Sequence, residues 1–170
     1  MTQPTFFDVR QVRLLDGLFK DVQERDPADL RSLDTERLLH NFCVTSGLPS
    51  SVQPYTGWES PEVEVRGHFV GHYLSACALM VASTDDLTLQ ERVADLVAEL
   101  ARCQDALPAQ GYTEGFLSAF PEVLFDRVER RDPAWAPITP CTKSWRGCWM
   151  PMCYAGTRRR WRCCCGWPVG

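Results

Sequence analysis

Arg66-Gly67-His68-Phe69-Val70-Gly71-His72-Tyr73-Leu74-Ser75-Ala76-Cys77-Ala78-Leu79-Met80-Val81-Ala82-Ser83 is the stretch on which the fold turns. Phe69, Val70, Tyr73, Leu74, Cys77, Ala78 and Val81 return at alternating short and three-residue steps, the signature of a helix with a broad buried face. A half-buried strand would alternate with period two, and this segment does not. Gly67 marks the start of the helix, which runs to about Ser83.

Outward from that segment the same periodicity recurs, with almost no strand signal. Before it, Val12, Leu15, Leu18, Phe19 and Val22 form a helical stripe ended by the pair Asp26-Pro27. A second helix is capped by Asp34, carries Leu38, Leu39, Phe42 and Cys43 on one side, and stops at Gly47. After it, a helix begins at the capping box Thr88-Leu89-Gln90-Glu91 and presents Val93, Leu96, Val97, Leu100, Ala101, Gln104 and Leu107 until Pro108 and Gly111 end it. Pro121 opens a fifth through Leu124, Phe125 and Val128, closed by Arg131-Asp132-Pro133. Five helices with alternating short and long loops predict an all-α assembly of hairpins. Bundle, solenoid and α/α toroid are all compatible with it.

Two loops carry the residues that suggest chemistry. Leu48 to Arg66, with Pro49, Pro54, Gly57 and Pro61, is long for a connector, and long loops in compact domains are often functional. Within it Tyr55-Thr56-Gly57-Trp58-Glu59-Ser60 sets an aromatic plane beside a carboxylate. Sugars are bound by such pairs, because the C–H face of the ring stacks on an aromatic while carboxylates accept hydroxyl hydrogen bonds. His68 and His72 stand four apart, so their imidazoles share one helix face. That spacing serves a metal only with a third ligand, which Glu64 supplies only if the helix starts before Gly67. Hydrogen bonding to a sugar hydroxyl is the better functional reading. The second loop, Gly111 to Phe120, has a similar mixture of aromatics, glycines and Glu114. A glycosidase acting through paired carboxylates needs two acids across the scissile bond, and Glu59, Glu62, Glu64, Glu114 and Glu122 qualify by type alone.

Composition excludes several classes. Residues 1–137 hold twelve Lys and Arg against twenty-two Asp and Glu, and phosphate binding needs a clustered basic surface, so no nucleic-acid partner is expected. No stretch approaches the roughly 18 apolar residues that span a bilayer, so no membrane partner is expected either. Met1 to Val9 shows no secretory signal pattern, so a cytoplasmic location is the expectation, and Cys43, Cys77 and Cys103 read as reduced, buried thiols. Phosphate-loop, dinucleotide and nucleophile-elbow motifs are missing.

Certain strings carry a resemblance: Val12-Arg13-Leu14-Leu15-Asp16-Gly17-Leu18-Phe19-Lys20, Arg37-Leu38-Leu39-His40-Asn41-Phe42, Gly57-Trp58-Glu59, Arg66-Gly67-His68-Phe69-Val70-Gly71-His72-Tyr73-Leu74-Ser75-Ala76, and Leu117-Ser118-Ala119-Phe120-Pro121-Glu122. Together they resemble the N-terminal part of bacterial β-L-arabinofuranosidases, glycoside hydrolase family 127 and its relatives, nearly continuously from Val9 to Pro137. The resemblance implies an (α/α)6 barrel, of which residues 1–137 form about the first five helices. It implies an L-arabinose-containing glycan as substrate, with Trp58, Glu59, His68 and His72 near the sugar pocket. The family cleaves terminal β-L-arabinofuranose with retention, through a glutamate acid/base and a zinc-bound cysteine whose sulfur the metal keeps deprotonated. Those residues lie beyond the end of this chain in the family, so no catalytic residue, zinc ligand or other cofactor is carried over, and the expectation is a catalytically inactive fragment. The alternative is a non-catalytic helical module that binds a glycan or a protein.

Residues 138–170 break the pattern. They hold six of the nine Cys and four of the six Trp, with no Leu, Asp or Glu, whereas residues 1–137 hold seventeen Leu. Read one base earlier, the codons for Trp149 to Tyr154 must give Leu-Asp-Ala, one of Tyr, His, Asn or Asp, then Val-Leu. Ile138 to Gly147 likewise permits Tyr-Tyr-Thr-Leu-His-Lys-Ile-Leu-Ala-Gly, matching the Tyr-Tyr-Thr-x-His-Lys with which the resembled family continues after a segment like Trp135-Ala136-Pro137. The tail is therefore expected to be out of frame, irregular and without a domain of its own. Cys141 and Thr142 then stand where a family histidine belongs, and neither the Cys163-Cys164-Cys165 run nor the basic run Thr157 to Arg162 is a designed site. Resequencing the DNA around the codons for Pro137 to Thr139 checks this: one inserted or deleted base should restore a long open frame, and an unbroken frame as given would rule the reading out.

Overall fold

The computed structural model describes residues 7–135, and every regular element in that range is helical. The five helices are α1 (Leu18–Ser32), α2 (Thr35–Thr45), α3 (His68–Thr84), α4 (Leu87–Ala106) and α5 (Val123–Glu129). Single 3-10 turns form at Val9–Gln11, Gly57–Glu59 and Leu107–Gln110. The all-α expectation holds. Among the described residues no helix is long and apolar enough to cross a membrane. The tail's expected irregularity lies outside the described residues.

The expected central helix is the centre of the packing. Val70, Tyr73, Leu74, Cys77, Ala78, Met80, Val81 and Ala82 of α3 are buried, covering most of its circumference, as befits a helix enclosed by neighbours. Against it pack α4, through Leu89, Val93, Leu96, Val97 and Leu100, and α2, through Leu38, Leu39, Phe42 and Cys43. Each fully buried Leu or Val in this core contributes about 1.5–3 kcal/mol of transfer free energy. Phe120, Leu124 and Phe125 form a smaller cluster beside α5.

Helix termini follow local chemistry closely at α2 and less closely elsewhere. The Asp34 carboxylate accepts from the N–H groups of Glu36 and Arg37, and Gly47, at φ 70°, turns the chain away after α2. At α4 the cap is Asp86, which accepts from Leu89 N at 3.0 Å, and not the box starting at Thr88. The acceptor three residues before a free N–H captures the helix start, and here Asp86 occupies that place while Thr88 is already inside.

The first helix departs from expectation. It begins at Leu18, runs through Pro27 and ends at Ser32, so Asp26-Pro27 does not stop it. Proline forgoes one backbone bond and is disfavoured inside a helix, but here Pro27 is buried, and Leu30 and Leu33 beyond it pack on the core. Tyr73 and Arg92 bind the carbonyls that end the helix: the Tyr73 hydroxyl donates to Leu30 O at 3.0 Å and Arg92 to Leu33 O at 2.9 Å. Tertiary contacts thus outweigh the local breaker. Conversely, of the helical stripe Val12, Leu15, Leu18, Phe19 and Val22, the first two precede the helix and all five are exposed; Leu15 retains 89% of its surface and Phe19 79%.

Truncation should separate these two classes of leucine. Leu100→Ala, in the α3–α4 interface, is expected to lower unfolding free energy by about 2–5 kcal/mol, whereas Leu15→Ala should stay within about 0.5 kcal/mol of the parent. Urea denaturation followed by circular dichroism measures both.

Candidate functional site

The four residues singled out by sequence, Trp58, Glu59, His68 and His72, meet at one cleft. They line it with Leu33, Tyr55, Thr56 and Phe69, around a volume of about 540 Å³, within the range of small-molecule sites. One wall is the loop between α2 and α3; the other is the first turn and a half of α3.

The loop owes its shape to three side chains that reach across it. Arg37 lies over the Tyr55 ring at 4.2 Å, while its guanidinium donates to Gln53 O at 2.8 Å and Pro54 O at 3.2 Å. The Tyr55 hydroxyl accepts from Asp34 N at 3.0 Å. Asn41, buried in the α2 face, donates to Glu59 O at 2.7 Å. Asn41 and Arg37 were not recognised as site residues from sequence. A polar residue between Leu39 and Phe42 on a buried helix face was the available signal, since a buried amide must find partners.

Glu59 itself is buried, and both its carboxylate oxygens are committed. Oε2 accepts from Gly67 N at 2.7 Å and Oε1 from Phe69 N at 2.9 Å, so the side chain caps α3 from eight to ten residues upstream in the sequence. The cap residue of α3 is glycine and has no side chain to do this. A carboxylate at this end also meets the positive pole of the helix. Gly67 is required for a second reason: its φ is 86°, and a Cβ there would stand 2.4 Å from the Cβ of Ala119.

His68 projects from the capped turn into the cleft wall. Its Nδ1 lies 2.9 Å from Glu59 Oε1, yet the approach lacks the alignment of a hydrogen bond, so that buried nitrogen has no hydrogen-bond partner. The His68 ring centroid is 5.7 Å from Trp58, 6.4 Å from Phe69 and 6.1 Å from His72, a cluster of four rings. Trp58, 63% exposed, and His72 face the open side.

Other candidates go elsewhere. Because α3 starts at His68, Glu64 does not join the histidines; it accepts from the Trp135 N–H at 2.7 Å and pairs with Arg127 at 2.7 Å, and these hold its carboxyl below the ordinary value. Glu62 accepts from the Ser60 hydroxyl and Glu122 from Thr113 N. The second loop does not reach the cleft: Phe116 is buried, stacked on Tyr112 at 5.4 Å and edge-on to Phe125. Its aromatics serve packing. Glu59 is thus the only one of the five acids in the cleft lining.

A family model described as β-L-arabinofuranosidase, GH127 catalytic domain, matches residues 11–159. The chain belongs to this family. The catalytic domain of GH127 proteins is an α/α barrel, and the all-helical architecture of the described residues agrees with that family fold. The match runs twenty-two residues past Pro137 (159 − 137), so its end does not coincide with the change in composition. No curated protein matches the chain.

Alanine at two glycines of the GH127 cleft should separate packing from backbone strain. Gly67→Ala meets both the left-handed backbone and the Ala119 side chain and is expected to cost about 2–4 kcal/mol. Gly57→Ala, at φ 68° with open space around it, meets only the former and should cost about 1–2 kcal/mol. Thermal melts of the two variants test the order.

Proposed function

We propose that the cleft takes the terminal β-L-arabinofuranosyl unit of a glycan, and that this chain contributes the recognition side of the glycosidase and not its bond-breaking groups. The observation that carries the reading is the exposed Trp58 ring at the cleft mouth beside His68 and His72. A furanose can lay its C–H face on the indole while imidazole nitrogens meet its hydroxyls. The acidic balance of residues 1–137, twelve basic against twenty-two acidic side chains, favours a neutral sugar over a polyanion such as nucleic acid.

Glu59 has a positioning role on this reading. Both its oxygens are engaged by N–H groups of α3, which leaves neither placed to shuttle a proton. It keeps His68 and the start of α3 in register with Trp58. Family zinc chemistry has no matching donor set here: among the described residues no three His, Cys, Asp or Glu side chains converge. Two perpendicular imidazoles and an engaged carboxylate fall short of the three protein ligands that a catalytic zinc needs. Hydrolysis on this reading depends on groups outside residues 7–135.

Titration with methyl β-L-arabinofuranoside, followed by two-dimensional NMR, tests recognition. Trp58→Ala and His72→Ala should each weaken binding about tenfold, or about 1.4 kcal/mol, with stability unchanged; Glu59→Ala should weaken both binding and stability. Absence of saturable shifts near α3 refutes the recognition reading. A chromogenic β-L-arabinofuranoside tests the rest: no turnover above buffer is expected, and turnover by the purified chain overturns the proposed lack of catalysis.

A further inference from the structure

We propose that Cys43 and Cys103 are a peroxide-sensitive thiol pair that closes to a reversible disulfide between α2 and α4. Their sulfurs lie 3.9 Å apart although sixty residues separate them in sequence. A disulfide has a length of about 2.05 Å, so closure asks for an approach of roughly 2 Å shared by two side chains. No backbone element has to cross the core for this, because α2 and α4 already pack together.

Access differs between the two sulfurs and sets the order of events. Cys43 lines an open cleft of about 490 Å³, on the opposite flank of α2 from the sugar site, walled by Glu36, Leu39, Ser50, Asp95 and Arg102. Cys103 is fully buried behind it. The Cys103 thiol beside the Cys43 sulfur holds the Cys43 thiol below its ordinary pKa, against the opposing effect of burial, whereas the same contact and burial raise Cys103. The member of the pair that lines the cleft is therefore the more readily ionised, and the thiolate is the reactive species.

The chemistry balances with hydrogen peroxide as oxidant. The Cys43 thiolate attacks one peroxide oxygen, the O–O bond breaks, and the departing hydroxide takes a proton to become water, leaving Cys43 as the sulfenic acid. The Cys103 sulfur then attacks the Cys43 sulfur, the S–O bond breaks, and hydroxide leaves as a second water with the Cys103 proton. Two thiols lose two electrons and one peroxide is reduced to two waters. The bridge would fasten α2 two residues from Asn41, whose amide holds the Glu59 backbone in the sugar cleft.

Cys77 is the internal comparison, since burial pushes its thiol up to about 11. The folded 170-residue chain is treated with hydrogen peroxide, remaining thiols are blocked, and peptides are mapped without reductant. A Cys43–Cys103 cross-linked peptide, released by dithiothreitol, is expected to form before Cys77 loses its thiol and to exceed every other cross-link containing Cys43. In Cys103→Ser, Cys43 should instead stop at the sulfenic acid, trapped by dimedone. Cys43 recovered as a free thiol alongside Cys77, or joined mainly to Cys141 or another tail cysteine, overturns the proposal. The parent map decides it even if Cys103→Ser fails to fold.

Discussion

The Glu59 carboxylate on the first N–H groups of α3 is the contact on which the site depends. A helix that begins with glycine has unsatisfied donors and no side chain of its own to meet them. Gly67 cannot be exchanged for a capping residue, because its left-handed backbone and the neighbouring Ala119 leave no room for a Cβ. The acceptor must therefore come from elsewhere, and the loop that delivers it also delivers Trp58. One hydrogen-bonding need thus ties the aromatic platform, the two histidines and the most buried helix into a single unit.

That unit is supported from behind by α2. Asn41 holds the Glu59 backbone, and Arg37 holds Tyr55 and the two carbonyls before it. Removing Asn41 would leave a buried carbonyl unpaired, which costs about 1–3 kcal/mol. The loop between α2 and α3 is consequently an ordered wall despite its prolines and its length. The packing of α2 on α4 that supports it is also what brings Cys43 to Cys103, so the proposed sugar recognition and the proposed thiol oxidation draw on the same helix from its two flanks.

Most helices were legible because their evidence is local. The Asp34 cap, the Gly47 stop and the apolar return of α3 and α4 are properties of neighbouring residues, and they survive into the structure with shifts of one or two positions. The misreadings arose where a distant partner outweighed a local signal. Pro27 stays in α1 because Leu30 and Leu33 gain core contacts beyond it and Tyr73 and Arg92 receive the carbonyls at its end. The stripe from Val12 to Val22 has helical spacing at its end but no enclosing neighbour among the described residues, and periodicity alone does not say what covers a face. Phe116 and Phe120, in a loop that looked like ligand chemistry, found aromatic partners around α5 instead.

For the site, residue types and spacing made Trp58, Glu59, His68 and His72 candidates among others, and the family resemblance picked out these four. Their division of labour was not visible there. Whether Glu59 faces a ligand or a helix end depends on which N–H groups lie within 3 Å of its oxygens, and those belong to residues eight and ten positions later. The Cys43–Cys103 proximity is of the same kind. Short-range chemistry is written in sequence order, whereas hydrogen bonding, burial and thiol ionisation depend on distances that exist only once α2, α3 and α4 have packed.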